Sequence, residues 1–172
     1  MRADGRFMGW LEAARECCPL DWAIGAGALR NLVWDRLTGR CNPPADVDVV
    51  FFGGADEGKV LACLLERLPE VPWQVKDKAL VHTWYERVFG YPVDPLTSVA
   101  DAVATWPESC TSVAVRLCSD HRLDVIAPCG LDDLFAMVLR RNPRRVTLDI
   151  FHQRLAKKRI TERWPGVTVV DG

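Results

Sequence analysis

Apolar residues at Phe7, Trp10, Leu11 and Ala14 recur at the i, i+3, i+4, i+7 spacing of one helix face, and Pro19 stops that helix. Trp22-Ala23-Ile24 leads into Gly25-Ala26-Gly27, after which Leu29, Leu32, Val33 and Leu37 mark a second helix. A polar loop with two prolines, residues 38–45, separates it from Asp46-Val47-Asp48-Val49-Val50-Phe51-Phe52, a strand closed by Gly53-Gly54. The pattern then predicts a helix over 57–68, a short strand at 73–75 and a helix over 78–88, with Pro92 and Pro95 in the loop beyond. A hairpin follows. Residues 111–117 are β-rich, Ser119-Asp120-His121 can turn, and Leu123-Asp124-Val125-Ile126 runs back until Pro128 and Gly130. Residues 132–140 read as a helix broken by Asn142-Pro143, and a last helix runs from about Thr147 to about Arg159. Helices mixed with strands, one strand pair antiparallel, predict an α+β fold: a mixed β-sheet flanked by helices.

Composition narrows this reading. The 172 residues are 49% hydrophobic and 26% charged, enough apolar surface for one ordinary domain without a structural metal. No internal repeat or low-complexity linker divides them, so residues 1–172 are read as a single domain. Twenty-two Lys and Arg against 23 Asp and Glu give a net charge of −1, which argues against a general DNA coater. No apolar run has the length of a membrane helix, and Glu12, Arg15, Glu16 and Asp21 interrupt what a secretory signal would need. The seven cysteines form no C-x-x-C pair, which predicts small core thiols in a reduced, cytoplasmic protein rather than zinc ligands or a disulfide framework.

Candidate chemistry centres on Asp46-Val47-Asp48. Two residues apart on a strand, both carboxylates point to the same face, at the start of a run that is otherwise apolar. Like charges so close repel, and a divalent cation such as Mg²⁺ removes the conflict; a solvated strand entry is the ordinary alternative. Asp124, between Leu123 and Val125, is a third carboxylate in an apolar strand. It can pair with Arg116 or Arg122, or join Asp46 and Asp48 around metal. Gly25, Ala26 and Gly27 precede a helix whose free N–H groups suit phosphate, with Arg30 one turn on to add charge, although tight packing explains small residues there equally well. Arg140, Arg141, Arg144 and Arg145, then Lys157, Lys158 and Arg159, are either helix-end charges or a basic wall for a polyphosphate or polynucleotide. Trp34, Trp84 and Trp106 are read as core, with stacking on a base as the alternative for one of them.

A glycine turn on a helix, a D-x-D strand and a third Asp on a later strand together form the plan of the DNA polymerase β-like nucleotidyltransferase superfamily. At finer grain, the chain resembles a small bacterial nucleotidyltransferase-like family once classed as a domain of unknown function. The likeness rests on Ala26-Gly27-Ala28-Leu29-Arg30-Asn31 with Val33-Trp34-Asp35, on Asp46-Val47-Asp48-Val49-Val50, and on Val75-Lys76 with Ala79 and His82. It continues through Asp101-Ala102, Thr105-Trp106-Pro107-Glu108, Ala127-Pro128 and Gly130-Leu131-Asp132-Asp133-Leu134-Phe135. The resemblance implies a single nucleotidyltransferase-like domain over residues 1–172. Asp46, Asp48 and Asp124 would be its catalytic, Mg²⁺-binding residues, and Gly25, Ala26, Gly27, Arg30 and Lys76 would contact the nucleotide. Lys76 and His82 match family positions, either of which could face the cleft, although His82 could equally be a satisfied histidine on a helix face. The implied reaction moves a nucleoside monophosphate from a nucleoside triphosphate to an unidentified acceptor (small molecule, RNA or protein) and releases pyrophosphate. The superfamily usually has Gly-Ser in the turn; Ala26 and Ala28 supply no hydroxyl here, leaving phosphate to the backbone. The inserted loop at 38–45 is expected to border the acceptor site. Two rival readings stay open: a binding module of the same fold without turnover, and a nucleic-acid-binding adaptor using the C-terminal basic residues.

Overall fold

A computed structural model describes residues 4–19 and 21–172. In chain order they form α1 (Gly5–Cys17), β1 (Trp22–Gly25), α2 (Ala26–Thr38), β2 (Val47–Phe51), α3 (Glu57–Arg67), β3 (Trp73–Asp77), α4 (Val81–Phe89) and α5 (Val99–Val103). A 3-10 turn at Ser109–Thr111 leads to β4 (Ala114–Leu117), β5 (Leu123–Ile126), α6 (Asp132–Phe135), β6 (Val138–Arg140), α7 (Leu148–Lys158), α8 (Ile160–Arg163) and β7 (Thr168–Val170). Five strands make a mixed sheet in the order β3-β2-β1-β4-β5, with β2 and β3 parallel and the other pairs antiparallel.

The period-two pattern of the strands decides what covers each face. Trp22 and Ile24 of β1 and Val47, Val49 and Phe51 of β2 pack into the large core, where Phe7, Trp10, Leu11 and Ala14 of α1 meet Val60 and Leu64 of α3. The opposite face carries Ala23, Val50 and Ala114, covered by Val99 and Val103 of α5 and by Trp106. Asp48 follows the same alternation, so it lies on this second face, level with Gly25 of β1 and Gln74 of β3.

Several expectations change against the structure. The helix expected over 132–140 ends at Phe135. Met137 takes a left-handed φ of 55°, and residues 138–140 become a strand because β7 supplies a parallel partner. Neither β7 nor α8 was visible as a pattern. Helix α5, inside the stretch read as a proline loop, is capped by the Ser98 hydroxyl, which accepts from the Asp101 N–H. Lys78 to Leu80 precede α4, because the Lys78 N–H continues the sheet by donating to the Phe51 carbonyl. Strand β4 starts at Ala114 rather than Thr111, which belongs to the 3-10 turn. On α2 the buried residues are Ala28, Leu29, Arg30, Asn31 and Trp34, while Leu37 is exposed. Cys17 and Cys63 are disulfide-bonded, joining α1 to α3, so the expectation of reduced thiols throughout does not hold for them. Among the other cysteines only Cys110 is buried, and Cys41 and Cys129 are exposed. Among the described residues, no helix is long and apolar enough to cross a membrane.

Candidate active site

The turn from β1 into α2 requires glycine at position 25. A Cβ there would stand 2.5 Å from the Val113 carbonyl oxygen and 2.8 Å from both the Ala114 Cβ and the Trp106 ring. This close approach lets β4 and Trp106 lie directly against the strand end. Ala26 then turns left-handed, with φ of 55°, and its N–H donates to the Val113 carbonyl. Gly25 offers no capping side chain, so the N–H groups of the first turn of α2 lack the usual side-chain acceptor. A Cβ at Gly27 would meet one neighbour in ordinary contact, an Arg30 Nη2 at 3.9 Å.

Beside this helix start lies a cleft of about 310 Å³. Ala26, Gly27, Asp46 and Asp48 form one side of it, and Lys78, Glu108, Arg154 and Lys158 bring opposing and matching charge from elsewhere in the chain. Trp106 and Pro107 supply an apolar wall, and Gln74 and Thr111 complete the polar lining. Burial raises the Asp48 pKa, and the neighbouring Asp46 carboxylate raises it further; Lys78 only partly offsets both. Burial likewise depresses the Lys78 pKa, against the pull of Asp48. Desolvation at the cleft, and then the neighbouring Arg154, lower the Lys158 pKa as well, although part of its side chain is exposed.

Glu108 is the buried carboxylate of the cleft. Burial alone would raise its pKa, but Arg154, Lys158 and the Thr111 hydroxyl outweigh that and hold it below the ordinary value. The Arg154 Nε donates to a Glu108 oxygen at 2.9 Å, and the Thr111 hydroxyl donates to the other at 2.8 Å. In the sequence Glu108 belongs to Trp-Pro-Glu with no role assigned, and Lys78 and Arg154 were not among the expected site residues. A signal was available: Arg154 and Lys158 stand four residues apart on one helix face.

The structure does not bring every expected residue here. Asp124 lies three strands from Asp48, about 14 Å at ordinary strand spacing. Its carboxylate accepts from the Arg116 Nε at 2.8 Å, and the same guanidinium donates to Asp21 at 3.1 Å. Register explains the pairing, since Arg116 and Asp124 are direct cross-strand partners. Arg30 is buried, 5.0 Å over the Trp34 ring and 5.2 Å over that of Trp164, donates to Asn31, and is not among the residues lining the cleft. Lys76 is exposed and paired with Glu57 at 3.0 Å. His82 is not the satisfied helix-face histidine: its Nδ1 is buried with no hydrogen-bond partner among the described residues. The 38–45 loop borders a different hollow between α1 and α2, where Asp35 holds the Asn42 backbone and side chain.

Oxygen donors at Asp46 and Asp48 suit a hard cation such as Mg²⁺, which commonly takes one or two protein carboxylates and fills its shell with phosphate oxygens and water. Both carboxylates line the same cleft, and burial first, then the Asp46 charge, disfavour an ionised Asp48 there, a cost that a cation would relieve. Among the described residues no three His, Cys, Asp or Glu side chains are grouped to hold a metal ion, so two carboxylates are what this chain offers.

Comparison with known proteins bears on the fold and the family. One solved structure, an NMR structure said to reveal a CCA-adding enzyme head domain, is 26% identical with a TM-score of 0.82, covering 99% of this chain and 92% of that one. Two further structures share the fold. A CCA-adding enzyme in complex with ATP is 14% identical with a TM-score of 0.58. A tRNA-processing enzyme in an apo form is 17% identical with a TM-score of 0.54. The chain spans only 40% and 44% of those two longer chains. No curated protein matches the chain at a significant level. A sequence model of a family described as nucleotidyltransferase matches residues 12–169, and the chain belongs to that nucleotidyltransferase family.

Proposed function

We propose that the cleft binds the triphosphate of a nucleoside triphosphate, with Mg²⁺ held by Asp46 and Asp48, and transfers the nucleoside monophosphate to an acceptor hydroxyl. One observation carries this reading: the open first turn of α2 and the Asp46–Asp48 pair share a cleft with Lys78, Arg154 and Lys158. Helix N–H groups and their dipole favour phosphate oxygens, and the three cations add charge-assisted donors. Trp106 and Pro107 restrict water on one side, which strengthens every charge contact within. Bound there, Mg²⁺ supplies charge neutralisation on the attacking and leaving oxygens. The acceptor hydroxyl gives up its proton to water, its oxygen bonds to the α-phosphorus, the bond to the α–β bridging oxygen breaks, and pyrophosphate leaves. Asp124 and Arg30 have no part in this assignment, since each is engaged elsewhere.

The second reading, nucleotide binding without turnover, has its own support. Asp124 is held by Arg116 and Glu108 by Arg154, so neither stands beside Asp46 and Asp48 as an unpaired third carboxylate. Calorimetric titration with ATP, GTP, CTP and UTP in the presence of Mg²⁺ tests the shared premise. At least one should bind, and Asp46→Asn with Asp48→Asn should weaken it by at least about 10- to 100-fold, the scale on which even the outer partners of metal ligands cost metal affinity. Equal binding by the double variant would overturn the assignment. Pyrophosphate release in the presence of an acceptor separates the enzyme from the binding module.

A further inference from the structure

A second chamber adjoins the carboxylate cleft. It has a volume of about 230 Å³ and shares Lys78, Trp106, Pro107 and Arg154 with the cleft. Its own walls are aromatic: Trp84, Tyr85 and Phe89 of α4 face it, and Arg145 reaches it from the loop before α7. Among the described residues, no acidic side chain lines it.

These walls are held in place. The Tyr91 hydroxyl donates to the Arg145 carbonyl at 2.6 Å and lies 3.2 Å from the Tyr85 hydroxyl. The Tyr85 and Phe89 rings stand 4.4 Å apart, and the Arg145 guanidinium lies 5.4 Å over the Tyr85 ring. Burial and the bond to Tyr91 push the Tyr85 pKa up to about 12, so the phenol stays neutral beside its cations.

We propose that this aromatic chamber takes the nucleobase of a nucleotide whose phosphates lie in the adjoining carboxylate cleft. The inference rests on the triphosphate reading given above. Its volume is below the roughly 300–1,000 Å³ of a pocket for a drug-sized ligand, so it fits a ring system rather than a whole nucleotide. Aromatic walls recognise flat π-systems of any base, and cations without carboxylates suit a ligand whose other end is anionic. The four shared residues place the two chambers side by side, as one ligand reaching into both requires. The base can belong to the incoming triphosphate or to the nucleotide that accepts the transfer.

The test compares ATP, GTP, CTP and UTP with inorganic triphosphate, all with Mg²⁺, together with a short single-stranded oligoribonucleotide. The proteins are the wild type, Trp84→Leu, Phe89→Leu and Asp46→Asn/Asp48→Asn, each checked by thermal unfolding. Phe89 is 46% exposed, so its variant keeps the test open if Trp84→Leu fails to fold. If the base is the donor's, the wild type binds one nucleoside triphosphate more tightly than inorganic triphosphate. Ring loss should then weaken that nucleotide about 5- to 100-fold, the range for removing one stacking partner, and leave inorganic triphosphate unchanged. If the base is the acceptor's, the same loss falls on the oligoribonucleotide instead. Binding of all these ligands unchanged by both ring variants overturns the inference while leaving the triphosphate reading intact. Absence of any binding that needs Asp46 and Asp48 overturns the triphosphate reading, and the inference with it.

Discussion

Asp48 is the residue where the fold and the proposed function pull against each other. Its carboxyl is half-buried on the sheet face and sits beside Asp46, so the folded state raises its pKa. A carboxyl whose pKa is higher folded than unfolded binds its proton more tightly in the native state. Stability of the unliganded protein therefore falls as pH rises through and above the ordinary Asp value, and ionised Asp48 is a cost at neutral pH. Glu108 has the opposite sign: its lowered pKa contributes stability above the unfolded value that is lost as pH falls through the folded one. The expected outcome is specific. A carbon-detected titration of Asp48 should show a midpoint above the ordinary Asp value, and Asp46→Asn should bring it down. The midpoint should not return fully to that value, because burial is the larger cause. An unmoved midpoint in Asp46→Asn would contradict the like-charge account. The D-x-D spacing made this pair legible, since side-chain alternation is a local rule. Asp124 shows where such reasoning ends: a carboxylate in an apolar strand has the same signature whether it meets a metal or the guanidinium opposite, and register decides.

Elements with strong local periodicity were the legible ones. Helix α1 buries the whole Phe7–Ala14 stripe, α3 spans Glu57–Arg67, and α7 starts at the Thr147 cap as the pattern indicates. What could not be read depends on distant partners. Residues 138–140 carry no signal that distinguishes a helix end from a strand until β7, some thirty residues later, pairs with them. The disulfide is the same kind of fact, because Cys17 and Cys63 lie 46 residues apart and only the packing of α1 against α3 brings their Cα atoms to 5.7 Å. A Glu16–Arg67 ion pair at 2.9 Å crosses the same seam but is exposed, so the covalent link is the stronger tie. Cys18, next in sequence to Cys17, is a poor thiolate for exchange, its pKa pushed up to about 12 by burial. Cys17→Ser/Cys63→Ser should lower unfolding free energy by about 2–4 kcal/mol, the usual range for a loop of this length. Urea denaturation measures it. Triphosphate affinity should not change, because this seam lies on the face of the sheet opposite the cleft. A loss of affinity equal to that of the aspartate variants would show the two faces to be coupled.

At the scale of the whole molecule, charge decides which ligands the surface can attract. The net charge is −1, and most of the basic residues that suggested a wall are already engaged. Arg140 pairs with Asp133 at 2.9 Å, Arg144 with Asp101 at 2.7 Å, and Arg159 with Glu162. Arg141 donates to the carbonyls of Asp171 and Val146, and Arg145 to that of Asp94. Within the cleft, positive charge at Lys78, Arg154 and Lys158 meets three carboxylates. A long polyanion therefore gains at most about three phosphate contacts here, against the six to ten of a protein that binds nucleic acid through its backbone. Three contacts to a single strand correspond to a slope of about −2 in log K against log salt, or roughly a 20-fold loss between 50 and 200 mM. Single-stranded RNA should accordingly bind with a shallow salt dependence that Lys158→Ala makes shallower still. A loss of a thousandfold or more over that range, indifferent to Lys158→Ala and to Asp46→Asn, would mean that a basic surface outside the cleft holds the strand. That result would restore the adaptor reading; the shallow slope leaves the cleft, and the short phosphate chain it can surround, as the place where this protein meets nucleotides.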